Sequence, residues 1–86
     1  MVKLFYKIDP AKYRDAMDTI RDKFTMHEDI DEDKTILNLD SEDIIEQITG
    51  SYNPVEDEIA SIRIVLVDES LREYFDSVLG EPYRIK

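Results

Sequence analysis

The sequence predicts a small α+β domain, a sheet covered on one face by two helices, on three observations. Val2, Leu4, Tyr6 and Ile8 alternate with Lys3, Phe5 and Lys7, the two-residue period of a strand with one buried face. Tyr13, Ala16, Met17, Ile20 and Phe24 recur at three-four spacing, as do Leu71, Tyr74, Phe75, Val78 and Leu79, so each set lines one side of a helix. Ile59–Val67 is rich in β-branched residues and sets Ile62, Ile64 and Leu66 on one face.

The remaining elements follow in order. Asp9-Pro10 starts the first helix, with Asp9 as N-cap and Pro10 at the first helical position. The helix fades near Met26, before the run Glu28-Asp29-Ile30-Asp31-Glu32-Asp33. Thr35–Leu39 reads as a short strand. Asp40 or Ser41 caps a brief helix carrying Ile44, Ile45 and Ile48, closed by Gly50. Ser51–Glu58, with Asn53-Pro54, reads as a loop. Asp68 caps the second long helix, Gly80 and Pro82 stop it, and Tyr83–Lys86 forms a last strand. Setting the small helix aside leaves strand-helix-strand-strand-helix-strand. That order is a ferredoxin-like split βαβ (βαββαβ) with a short extra helix between strands 2 and 3. The resemblance in kind between residues 13–20 and 71–78, each following a strand that ends in aliphatic-Asp, supports it.

Composition narrows the class. Residues 1–86 suffice for one domain, and an apolar fraction of 42% suffices for a core. With no cysteine, disulfides, thiolate metal sites and thiol nucleophiles are excluded. The longest apolar run, Ile64–Val67, is far short of the roughly 20 residues of a membrane helix, and Met1–Ile8 does not read as a signal peptide. A cytoplasmic protein is expected.

Charge is the most informative feature. The net charge of −10 is unevenly placed: residues 28–58 hold twelve acids and one base, Lys34, while the rest of the chain holds nine acids and ten bases. A solvated loop is the plain explanation of such a run. Asp29, Asp31, Asp33, Thr35 and Asp40 also fall at calcium-loop spacing. Lys34, however, occupies the position that demands glycine, and Asp40 replaces the bidentate glutamate, so no metal or other cofactor is assigned. The third reading is charge mimicry of a nucleic acid, which occupies a basic groove by complementarity and counterion release. Ser41–Gly50 resembles an N-terminal helix of the phage uracil-DNA glycosylase inhibitor family. The strand-rich second half of that family has no counterpart here, and membership is not assigned.

Strand parity places Lys3, Phe5, Lys7, Arg63, Val65 and Val67 on the sheet face away from the helices, joined by Arg84 and Lys86 if Tyr83 and Ile85 point inward. Bases beside an exposed aromatic suit RNA. Against nucleic acid, residues 60–66 offer no second aromatic, and the acidic segment repels phosphates. This face is read instead as a surface for self-association into a homodimer, with the bases as its rim.

Catalytic signatures are missing. The one histidine, His27, sits in no motif, no serine lies in an elbow pattern, and two glycines cannot build a phosphate loop. The sequence therefore points to a non-catalytic protein-interaction module that meets a basic partner surface. Its expected partner-binding residues are Glu28, Asp29, Asp31, Glu32, Asp33, Asp40, Glu42, Asp43, Tyr52, Glu56, Asp57 and Glu58. The runner-up is a ligand- or metal-binding regulatory domain of the same ferredoxin-like fold.

Overall fold

A computed structural model describes residues 1–41 and 43–86. Six strands form one antiparallel sheet: β1 (Val2–Ile8), β2 (His27–Asp31), β3 (Lys34–Asn38), β4 (Ile45–Ser51), β5 (Ala60–Leu66) and β6 (Arg84–Ile85), in the order β2-β3-β4-β5-β1-β6. Two helices, α1 (Pro10–Phe24) and α2 (Arg72–Leu79), complete the fold.

This corrects the ferredoxin-like expectation. A four-strand βαββαβ layout has no place for the six strands and the β2-β3-β4-β5 meander seen here. The expected helix after Asp40 is strand β4, so the helical resemblance of residues 41–50 to the phage inhibitor family does not hold. The acidic run is the edge strand β2 and its turn into β3.

The long elements form where periodicity places them. The Asp9 carboxylate accepts from the Ala11 N–H at 2.9 Å, with Pro10 opening α1. Thr25, in the left-handed region at φ 52°, ends that helix in the role a glycine usually takes. Asp68 accepts from the backbone N–H of Ser70 at 3.0 Å and opens a 3-10 turn, Glu69–Leu71, that leads into α2.

The core lies between the helices and one sheet face. Leu4, Tyr6, Leu37, Ile45, Ile48, Ile62, Ile64 and Leu66 from the sheet meet Met17 and Ile20 of α1 and Phe75 of α2. The Phe24 and Phe75 rings stack at 5.8 Å between centroids, joining the two helices. The Tyr6 hydroxyl donates to Asp76 Oδ1 at 2.7 Å, tying β1 to α2. Burial of this kind contributes about 25 cal/mol per Å² of apolar surface. The opposite sheet face is open.

Candidate interaction surfaces

The meander divides the acidic residues. At one end, Asp31, Glu32 and Asp33 form the β2–β3 turn, with Glu32 at φ 54°. Asn53 gathers further carboxylates there: its side-chain amide donates to Asp33 Oδ2 at 3.1 Å and its backbone N–H to Asp57 Oδ2 at 2.8 Å. Glu56 and Glu58 are exposed on the same connection between β4 and β5. At the other end, Asp40 and Asp43 lie on the β3–β4 connection, with His27 Nε2 2.5 Å from Asp40 Oδ1. The five residues of β3 separate the two ends by about 16 Å at roughly 3.3 Å per residue. Glu42 lies outside the described residues.

Glu28 is engaged within the molecule. It is on the helix side of β2 and forms ion pairs with Arg14 and Arg21 of α1, the second at 3.6 Å. Arg14 also bonds Asp18, holding that carboxyl below its ordinary range, and the bonds to Asp18 and Glu28 keep the guanidinium more firmly protonated. Asp29 pairs in register with Ile36 and Asp31 with Lys34, on the open face. Tyr52 is half-buried against the core, its ring 5.9 Å from that of Tyr13. The calcium-loop spacing spans a β-hairpin whose Thr35 is buried, and no cluster of three metal-ligating side chains occurs among the described residues.

Beside Asp40 and Asp43 is a groove of about 400 Å³ between the end of α1 and the β3–β4 connection. Phe24, Leu39 and Ile44 line it together with those two carboxylates. Sequence reasoning missed this groove, although all three apolar residues flank the acids or end a helix. They come together only because β4 returns along β3.

On the open face the ladder sets residues in rows. One row runs Asp29, Ile36, Thr49, Arg63, Phe5, Arg84; the next runs Asp31, Lys34, Ser51, Ser61, Lys7. Lys3 and Lys86 exchange two backbone hydrogen bonds of 2.9 Å. The face therefore grades from acid at β2 to base at β1 and β6. Val65 falls in its expected row, between Gln47 and Lys3, but is only 4% exposed, whereas Val67 is 42% exposed. The condition that Tyr83 point inward is not met. Tyr83 is 55% exposed, its ring 6.4 Å from Phe5 and 4.8 Å from Lys7 Nζ, and so belongs to the open face.

No helix among the described residues is long and apolar enough to cross a membrane. Comparison with family models, curated proteins and solved structures finds no match.

Proposed function

We propose that this chain is a non-catalytic protein-interaction module that receives a basic, amphipathic segment of a partner in the groove between α1 and the β3–β4 connection. The observation that carries this reading is the coincidence of an apolar lining (Phe24, Leu39, Ile44) with the carboxylates of Asp40 and Asp43. Affinity at protein interfaces concentrates where an apolar anchor enters a pocket, while surrounding charge sets encounter rate and register. A net charge of −10 attracts basic partners over a longer range, and the Asp31–Asp33 turn extends that field. The cysteine-free composition suits work in a reducing cytoplasm.

The test is a titration of isotope-labelled protein with basic peptides that do or do not carry a Leu or Phe anchor. Anchored peptides should shift the amide signals of Phe24, Leu39 and Ile44 and bind at least tenfold more tightly than anchor-free peptides of equal charge. Asp40→Lys with Asp43→Lys should remove that preference, whereas Asp31→Lys with Asp33→Lys should mainly slow association. Equal binding of the two peptide classes, or shifts spread over the whole sheet, would refute the reading.

A further inference from the structure

We propose that the open sheet face, a surface distinct from the groove, binds single-stranded nucleic acid. Bases stack on Phe5 and Tyr83, and phosphates pair with Lys3, Lys7, Arg63 and Arg84.

The two rings form a platform on the open face, tilted by 58° with centroids 6.4 Å apart. Each has a cation against it: Lys7 Nζ is 4.8 Å from the Tyr83 centroid, and Arg84 Cζ is 5.8 Å from that of Phe5. Beside the rings is a hollow of about 270 Å³ lined by Arg63 and the hydroxyl side chains of Thr49, Ser51 and Ser61. That volume falls just below the roughly 300–1,000 Å³ of drug-sized ligand pockets, so it suits one flat base with its attached phosphate. Aromatic platforms within a cationic track are how sheets hold unpaired strands, because every base offers a π-face and every link a negative charge.

Two objections to nucleic acid arise from the sequence; the geometry answers the first and moves most of the acid behind the second away from the rings. The missing second aromatic is supplied by Tyr83, beside β6, and not by β5. Glu46, on β4, lines a hollow of this face with Lys3 and Arg63 and offsets part of their charge; Asp29 and Asp31 lie on β2, four strands from β1. At about 4.8 Å per strand they are about 19 Å away, some two Debye lengths at physiological salt. A second copy of the chain suits this face less well. Its three acids, Asp29, Asp31 and Glu46, would have to answer six bases, Lys3, Lys7, Lys34, Arg63, Arg84 and Lys86, leaving like charges opposed.

The experiment is fluorescence anisotropy with a labelled oligothymidine of about twelve nucleotides. Binding is expected at about 50 mM salt. With four phosphate contacts, a slope near −3 in log K against log salt makes it about 50-fold weaker at about 200 mM. Tyr83→Ala should weaken binding roughly five- to 100-fold through loss of one stacked base. Arg63→Gln and Arg84→Gln should each reduce the salt slope by about 0.7, and Lys12→Gln, on α1, should change neither affinity nor slope. Melting curves of each variant show whether the fold is retained, and the exposed Arg84→Gln serves if Tyr83→Ala does not fold. The proposal is overturned by no binding at 50 mM salt, by equal affinity for a duplex of the same length, or by an unchanged affinity in folded Tyr83→Ala. Light scattering that finds a dimer dispersed by Arg63→Gln would also overturn it, assigning the face to a second copy.

Discussion

Replacing Gly50 with alanine measures how α1 is seated on the sheet. Gly50 lies on the helix side of β4, paired with Thr35 on one side and Ile62 on the other, and Tyr13 of α1 passes over it. A Cβ at this position would stand 2.9 Å from Tyr13 Cε1 and 2.9 Å from Met17 Cε, and closer still to the Tyr13 hydroxyl. The end of Met17 can swing aside. The Tyr13 ring, buried at 8% exposure, cannot move without lifting the helix. Glycine in a strand ordinarily costs about 0.5–1 kcal/mol relative to alanine, so an open site would gain stability on substitution. Overpacking reverses the sign, and Gly50→Ala should lose about 1–3 kcal/mol. At about 4–8 °C per kcal/mol for a domain of this size, Tm falls by roughly 5–20 °C. The Tyr13 hydroxyl is itself buried beside Thr35 with no partner of good geometry, and burial pushes its pKa up. Tyr13→Phe should therefore be neutral or stabilising, since an orphaned buried hydroxyl costs about 1–3 kcal/mol. In the double variant much of the clash disappears, giving a coupling of at least about 1 kcal/mol in urea unfolding. A stability gain in Gly50→Ala, or strict additivity with Tyr13→Phe, would refute the packing argument.

Two further predictions concern charge and protonation. Glu28→Gln breaks ion pairs to Arg14 and Arg21 at a side chain 22% exposed, and should cost no more than about 1 kcal/mol in urea unfolding. Because that charge is already answered within the molecule, the same variant should leave peptide affinity within about twofold; a large loss would place Glu28 in the groove's recognition surface. Tyr6 and Tyr13 have pKa values raised by burial, helped at Tyr6 by its bond to Asp76. An acid whose folded pKa is raised contributes stability fully below its unfolded value near 10 and loses it as pH climbs above that, at up to about 1.4 kcal/mol per pH unit for each group. Asp18, lowered by Arg14, and Asp68, lowered by Ser70, act in the opposite sense: present above pH about 4, lost below it. Thermal melts across pH 3 to 11.5 should show both shoulders. Tyr6→Phe should flatten the alkaline one while losing about 1 kcal/mol at pH 7, and an unchanged alkaline shoulder would refute the assignment to Tyr6.

The elements legible in the sequence include the four whose apolar residues keep one period from end to end, β1, α1, β5 and α2, and the short strands β3 and β6, expected over Thr35–Leu39 and Tyr83–Lys86. Strand β4 was illegible for a specific reason. A bulge between Ile45 and Gln47 inserts one residue, so Ile45 and Ile48, three apart, both face the core. Spacing of three is a helical signature, and flanking capping residues with a terminal glycine completed the false pattern. Gly50 is there because Tyr13 comes close, a tertiary fact that no local rule contains. Strand β2 was illegible because an edge strand has little to bury: Ile30 is its only aliphatic residue and is 71% exposed. The open-face residues of β1 and β5 were readable from parity alone. The place of Tyr83 was not, since it depends on how a two-residue strand docks on β1.

The position of β2 also changes what the central acidity means. Its outer edge presents backbone donors and acceptors with no strand to receive them, which invites pairing with another chain. Glu28, Asp29 and Asp31, alternating along that edge, oppose such pairing on both faces, and Glu28 also fastens the strand to α1. Part of the charge excess is thus explained by the needs of an exposed edge, with no partner invoked. Asp43 has no such explanation, and Asp40 has one contact within the molecule, with His27 at 2.5 Å. Both lie on the β3–β4 connection, beside the half-buried Phe24, Leu39 and Ile44. Apart from the His27 contact, these carboxylates bond nothing among the described residues, whereas a partner carrying an apolar anchor next to a lysine or arginine would satisfy both groove and charge at once. On the proposed reading, recognition falls to the β3–β4 end of the sheet, and the acid count of the whole segment overstates the surface it would use.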